Sequence, residues 1–481
     1  MSTAVVTNAA APARKRAAFR PGEFRIIPSF EANAWMVAFA QSIPGKVTLL
    51  SCFGILLWYA TNLHYPNPRW KLQIPFLILM TALPQCRRAL LSISAVFWTS
   101  AIWGPWAEHP APVQAAIVFV IAAILFRSAG RFRNSILARR PVATLLTGFT
   151  LLVMTASYLP HGALHYAIWT FLPVAGAYLW FIAYSLIDVR SKNADPFMRQ
   201  AGTYQPFWGS TNTPFVKGAA YLRRIEAKSS EQLAIAQLKG MKLLLWSVAL
   251  DLFLTYAYMP LVHGYLNVPY YDFVFHLSVQ RAHFPCYQAW TSLISDFFEK
   301  MIELAILGHR IVAICRMAGF AALRNTYKPL TSKSIAEFWN RYYFYFKELL
   351  VDCFFYPTFM RYFKRSGRWR LFAATFAAAG FGNAFFHFFR DLNYIEQLGF
   401  WKALVGFQSY LFYTIVLATG IGISQIRERK SAAAGWLRRE LGPLVCVCGF
   451  FCILRVFDYT YVRYPLSESF RFLAHLLGLI S

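Results

Sequence analysis

The chain has 481 residues, of which 57% are hydrophobic, 18% aromatic and only 14% charged, and its mean hydropathy is +0.41. This balance excludes an ordinary soluble domain and predicts an integral, multi-pass membrane protein. The formal net charge of +27 does not indicate a nucleic-acid partner, because the basic residues lie mainly in short loops between apolar runs, as on the charged face of a membrane protein.

The N-terminal segment is basic and has no apolar stretch of the kind that a cleavable signal peptide needs. By the positive-inside rule we expect the N-terminus in the cytoplasm. Residues 1–40 are therefore predicted to form a basic cytoplasmic tail and interfacial segment. Residues 41–481 are predicted to form a single integral-membrane domain.

Apolar runs long enough to cross a bilayer as helices recur along the rest of the chain, and alternating barrel segments are not found. The sequence therefore predicts an all-α polytopic protein with about eleven transmembrane helices. The runs lie near residues 44–63, 72–85, 89–107, 112–127, 141–158, 164–187, 243–262, 301–320, 371–390, 400–424 and 442–460. The positive-inside rule places the basic segments 127–140, 361–370 and 427–440 in the cytoplasm.

The amphipathic region 331–360 does not fit a simple span. It agrees with this topology only if it enters and returns on one side of the membrane, or lies along the interface, beside a central tunnel. Ser334 and Glu337 have the spacing of a capping box, which predicts that a helix starts there. The aromatic block FWNRYY that follows, residues 338–343, is either a basic-aromatic interface anchor or part of a site.

A second polar pattern interrupts the apolar run GFGNAFFHFFRD, residues 380–391. Asn383, His387 and Asp391 are spaced four residues apart, which places them on one face if the run is helical. In one interpretation His387 is a core or interfacial histidine that hydrogen-bonds Asn383. In the other it is a general base in a polar tunnel, since an imidazole with a pKa of about 6.5 can take and return a proton near neutral pH.

Taken together, FWNRYY and GNAFFHFF, residues 382–389, resemble the membrane-bound O-acyltransferase (MBOAT) family. That family is marked by a block of the type F-W-x-R-W-H and, some tens of residues later, by a histidine in a helix of small and aromatic residues. The specific likeness covers residues 331–391, the core motif region. Where many bacterial members end the block with a histidine this chain has Tyr343, and Asn340 and Asp352 are alternatives for that role.

The resemblance implies a reaction and its participants. An acyl group, acetyl or longer, passes from an acyl thioester such as acyl-CoA to a hydroxyl of a lipid, glycan or other acceptor. His387 is then the general base, Asn383 supports it, and Asn340 or Tyr343 supplies a second polar group. The resemblance implies no tightly bound cofactor and makes membrane lipids the surroundings. It is compatible with a partner protein that delivers donor or acceptor.

Other polar patterns favour less specific hypotheses. His161 and His165 have the i, i+4 spacing of two metal ligands, but no HExxH glutamate accompanies them, so no metal is assigned. Asp296 and Glu299 are predicted to be solvated or paired with Lys300 on an amphipathic helix.

Two other classes of protein stay open. A secondary transporter or channel-like protein with a buried polar pathway would explain Asp251 and His387, but the matched broken helices of such proteins are not found in the two halves of the chain. A receptor or scaffold would give no reason for FWNRYY and the histidine run to occur together.

Overall fold

The computed structural model describes residues 26–63, 68–101, 112–191, 193–205, 209–210, 213–426, 441–458 and 464–480. The predicted cytoplasmic tail up to residue 25 and the basic segment 427–440 lie outside the described residues. Most of the described chain is helical, and its two short strands, Gly209–Ser210 and Thr213–Pro214, pair antiparallel. The all-α fold class is therefore confirmed.

The α-helices differ widely in length, from four residues to thirty-two. They are Ala34–Gln41, Ile43–Ala60, Ile74–Ala82, Arg87–Ala101, Pro112–Arg131, Ile136–Arg139, Pro141–Ala156, Ala163–Asp188, Phe197–Ala201, Ala219–Ile225, Ser230–Phe253, Tyr271–Val279, Cys286–Met317, Ile335–Tyr342, Phe344–Leu350, Tyr356–Arg361, Gly367–Thr375, Asn383–Arg390, Leu392–Leu398, Phe400–Gly406, Gln408–Ile426, Gly442–Leu454 and Leu466–Leu476. π-Helical segments continue some of these helices, among them Leu254–Tyr258, Pro260–Tyr265, Val351–Phe355 and Phe376–Gly382.

Six helices in the described chain are long and apolar enough to cross a membrane, so the protein is an all-α membrane protein. They are Ile43–Ala60, Val113–Arg131, Ala163–Asp188, Ser230–Tyr265, Gly367–Arg390 and Gln408–Ile426. The helix pair Trp70–Ala82 and Pro84–Phe97 is bent by 115° and adds at most one more span. The bend follows from Pro84, which donates no backbone hydrogen bond.

The predicted apolar runs compare with these helices as follows. Six of the runs overlap the six long helices. Residues 72–82 and 89–97 of two further runs lie in the bent pair, and residues 102–107 lie outside the described part of the chain. Two others fall on the shorter apolar helices Pro141–Ala156 and Gly442–Phe457. The run 301–320 belongs to Cys286–Met317, which carries acidic and basic side chains along its length. The count of about eleven spans therefore stays a prediction.

Two long helices, Ser230–Tyr265 and Cys286–Met317, pack antiparallel along a polar seam. At its middle Arg310 donates to the carboxylate of Asp251 and to Oγ of Ser247, and all three side chains are fully buried. Towards one end His263 Nε2 lies 2.7 Å from Glu299 Oε1. Ion pairs and hydrogen bonds across the seam satisfy groups that would be costly inside a membrane.

Candidate functional site

The histidine helix, Gly367–Arg390, contains a π-helical segment, Phe376–Gly382, directly before Asn383. Such segments are frequent at functional sites because they change which side chains face inward. A Cβ atom at Gly382 would lie 2.6 Å from the ring of Phe354, so only glycine allows the neighbouring helix to approach this closely.

The polar residues of this helix do not form the continuous stack that the sequence predicts. Asn383 and His387 lie in the helix, but Asp391 follows its last residue. Asp391 accepts two hydrogen bonds from Arg390, 3.0 Å from Nε and 2.9 Å from Nη2. Asn383 and His387 therefore lie one turn apart on the helix as predicted, whereas Asp391 is the residue that follows its end.

His387 is surrounded by aromatic rings. Its ring centroid lies 4.6 Å from that of Tyr410, 5.3 Å from Phe386 and 5.6 Å from Phe346. Its Nδ1 atom is enclosed and has no hydrogen-bond partner among the described residues. A cavity of about 10 Å³ borders the ring, which is room for about one water molecule. Buried nitrogens are normally paired, so an unpaired one calls for an explanation.

Asn383 is held by Tyr410 instead of by His387. The Tyr410 hydroxyl donates to Asn383 Oδ1 over 3.2 Å, and the two side chains are only 2% and 1% exposed. The amide nitrogen Nδ2 is buried without a partner in the described part of the chain. A hydrogen bond between Asn383 and the ring, expected if His387 were a satisfied core residue, is therefore not formed. The sequence did not single out Tyr410, since a tyrosine in an apolar run carries no local mark of its role.

The FWNRYY block approaches the histidine through one intermediate ring. The rings of Trp339 and Tyr343 lie 6.1 Å and 5.6 Å from that of Phe346, which in turn contacts His387. The predicted helix start is confirmed, because Ser334 Oγ accepts from the backbone N–H of Glu337 over 3.1 Å. Asn340 is exposed on this helix, and Tyr343 lies at its end.

Near the FWNRYY block, a cluster of charged side chains connects Glu348 and Asp352 to Lys217. Lys217 Nζ lies 2.6 Å from Glu348 and 2.8 Å from Asp352, and the Tyr184 hydroxyl donates to Asp352 over 3.2 Å. Burial raises the pKa of Asp352, and the charge of Lys217 offsets this only in part. Burial also acts to raise the pKa of Glu348, but hydrogen bonds from Lys217 and Lys347 outweigh it and leave that pKa below its ordinary value.

The prediction for the acidic residues near position 300 is wrong. Asp296 pairs with Arg455 over 2.6 Å, and Glu299 pairs with His263. Lys300 instead pairs with Glu303 over 3.0 Å. The partners of Asp296 and Glu299 come from distant parts of the chain, which a single sequence does not reveal.

The two histidines of HGALH lie side by side, with ring centroids 4.7 Å apart. Over the described residues, no group of three or more histidine, cysteine or carboxylate side chains is arranged to hold a metal ion. Among the residues that the structure describes, the histidine pair thus has no third protein ligand of the kind found in a typical zinc site.

No protein-family model matches the chain, and no curated protein matches it. The resemblance to the membrane-bound O-acyltransferase family therefore depends on the pattern in residues 331–391.

Proposed function

We propose that the protein is a membrane-embedded O-acyltransferase of the MBOAT type. It moves an acyl group, acetyl or longer, from acyl-CoA or another acyl thioester to a hydroxyl of a lipid, glycan or other acceptor. In this proposal about eleven spans, together with re-entrant or interfacial helices, surround a central tunnel, and the N-terminus is cytoplasmic. No resident cofactor takes part, and a partner protein that delivers donor or acceptor is compatible with the scheme.

The observation that carries the proposal is the unpaired state of His387. A ring nitrogen that is enclosed without a partner among the described residues has an unused hydrogen-bonding capacity, which a catalytic role would explain. Asn383, one helical turn away, has an unpaired amide nitrogen, and the FWNRYY block reaches the same ring through Phe346. The two motifs that resemble the family are therefore connected through the ring of Phe346, which contacts His387.

His387 acts as a general base in the proposed reaction. The hydroxyl oxygen of the acceptor attacks the thioester carbonyl carbon while its proton passes to the neutral imidazole. The carbonyl oxygen takes up the negative charge of a tetrahedral intermediate. When this collapses, the carbon–sulfur bond breaks and the thiolate takes the proton from the imidazolium, so the products are an ester and a thiol. The thioester is already activated, so no covalent acyl-enzyme is required.

The buried charged residues support a transporter less well than the two motifs support an acyltransferase. Asp251 would be its candidate for a proton site, but this carboxylate is paired with Arg310 in a fully buried contact. An ion pair that is also hydrogen-bonded to Ser247 is a satisfied structural element. Asp251 therefore gives no specific reason to prefer transport.

The test is acyl transfer by the purified full-length protein. Labelled acetyl-CoA and palmitoyl-CoA are supplied with a membrane extract as the source of acceptors, and native protein is compared with His387→Ala and His387→Gln at equal folded yield. His283→Ala, at an exposed loop position, is the matched control. We expect transfer by the native protein and the control and none by the His387 variants. If acyl transfer survives both His387 substitutions, His387 is not the general base. If the native protein transfers neither label, acetyl-CoA and palmitoyl-CoA are not its donors.

A further inference from the structure

Asn383 and Tyr410 form a donor arrangement that general-base catalysis by His387 does not use. The Tyr410 hydroxyl donates a hydrogen bond to the amide oxygen of Asn383, so the NH₂ group is the part of this side chain that can still bind another group. That NH₂ group is buried and unpaired among the described residues, on a side chain only 1% exposed. A buried amide with its acceptor fixed and its donors unused is prepared to bind an acceptor atom.

We propose that Asn383 is the oxyanion donor of the transfer reaction and that Tyr410 positions it. Asn383 donates from Nδ2 to the carbonyl oxygen of the thioester, and this hydrogen bond strengthens as the oxygen becomes negative. Tyr410 holds the amide oxygen and thereby aims the NH₂ group away from itself. The inference rests on the proposed acyltransferase function and assigns Asn383 a direct contact with the substrate.

The i, i+4 spacing of Asn383 and His387 suits these two roles, an oxyanion donor and a general base. Side chains at i and i+4 have Cβ atoms about 5–6 Å apart, which is enough for one tetrahedral carbon with a hydrogen bond at each end. The attacking hydroxyl then lies against His387 and the carbonyl oxygen against Asn383. Protons and electrons balance as in the proposed reaction, because Asn383 donates a hydrogen bond and transfers no proton.

Tyr410 belongs to the same unit because it contacts both partners. Its hydroxyl binds Asn383, and its ring lies 4.6 Å from that of His387. Replacing the hydroxyl alone should free the amide to rotate while the ring contact with His387 is kept. Tyr410 is therefore a positioning residue, and its removal should be milder than that of Asn383.

The experiment compares steady-state constants of full-length Asn383→Ala, Asn383→Asp and Tyr410→Phe, with Asn393→Ala at an exposed position as the control. The donor is whichever of labelled acetyl-CoA and palmitoyl-CoA the native protein uses. We expect both Asn383 variants to lower kcat by about 10²–10³-fold, as loss of an oxyanion donor does, with KM for the donor little changed. Tyr410→Phe should lower kcat less, and the control should match native protein.

A donor with a thiocarbonyl in place of the reacting carbonyl separates this role from a merely structural one. Sulfur is a weak hydrogen-bond acceptor, so the loss caused by Asn383→Ala should be smaller with the dithioester than with the thioester. An equal loss with both donors would overturn the inference. Should the Asn383 variants fail to fold, Tyr410→Phe decides, and an unchanged kcat would overturn it.

The failure of this inference can be told from failure of the proposed function. If native protein is active, His387→Ala is inactive and the Asn383 variants keep the native kcat, only the oxyanion role is wrong. If native protein transfers no acyl group, the proposed function fails and the role of Asn383 fails with it.

Discussion

The ring of Phe346 meets the ring of His387 edge to face, with their centroids 5.6 Å apart and their planes at 84°. The same phenylalanine also contacts Trp339 and Tyr343 of the FWNRYY block. Phe346 is thus the physical link between the two motifs. Any movement of the block should be passed to the histidine through this ring, because packed interiors transmit displacement.

Phe346→Ala should therefore impair both stability and activity. The side chain is 5% exposed, and removing a buried phenylalanine ring typically costs about 3–5 kcal/mol in unfolding free energy. Denaturation in mixed micelles measures the loss, and the acyl-transfer assay measures the effect on His387. Phe273→Ala, at a ring that is 57% exposed, is the control and should change neither quantity appreciably. Equal stability of the two variants would show that Phe346 is not a packed link.

The sequence predicted the parts of this site that depend on local spacing. The helix start at Ser334 follows from a hydrogen bond between residues three positions apart, and the placement of Asn383 and His387 on one helix face follows from their spacing of one turn. Tyr410 was missed because it is 27 residues from Asn383 along the chain and meets it only by packing. The partner of Asp296 was missed for the same reason, since Arg455 lies on a distant helix.

The Lys217 cluster should give a pH-dependent contribution to stability. The pKa of Glu348 is lowered in the folded protein because hydrogen bonds from Lys217 and Lys347 outweigh burial. A lowered carboxylate pKa stabilises the fold above the unfolded value of about 4.3, and this contribution is lost as pH falls through the folded-state pKa. Asp352 acts in the opposite direction, since burial raises its pKa and its charged form costs stability at neutral pH.

Lys217→Met should lower the unfolding free energy most near pH 7. There it leaves two carboxylates without their shared cation, and because the groups are about one-fifth exposed we expect a loss of about 2 kcal/mol, below the about 3–5 kcal/mol of fully buried pairs. The loss should shrink as pH falls from 7 to about 4 and the carboxylates become neutral. Denaturation of native and variant protein across this range measures it. Lys300→Met removes a more exposed pair and should cost under about 1 kcal/mol, and a loss at Lys217 independent of pH would contradict the assignment.

Removing one charge of the buried Asp251–Arg310 pair should destabilise the fold strongly, whereas removing both charges should destabilise it little. Both side chains are 0% exposed, so Asp251→Ala leaves a guanidinium buried without its carboxylate and should cost about 3–5 kcal/mol. The double variant Asp251→Leu with Arg310→Met removes both charges and should regain most of that loss. A double variant as unstable as the single one would show that Arg310 stabilises the fold chiefly through contacts other than that with Asp251, such as its hydrogen bond to Ser247.

Gly382→Ala should disturb the site by forcing two helices apart. The added methyl group would lie 2.6 Å from the Phe354 ring, and overpacking of this kind costs about 1–3 kcal/mol, which exceeds the gain of up to about 1 kcal/mol in helix propensity. Because Gly382 directly precedes Asn383, acyl transfer should fall together with the unfolding free energy. Gly449→Ala is the matched control, since a Cβ atom there meets nothing within 4 Å. It should leave stability unchanged or slightly raised. If Gly382→Ala behaves like Gly449→Ala, the Phe354 ring moves aside without cost and the close approach does not hold the histidine helix in place.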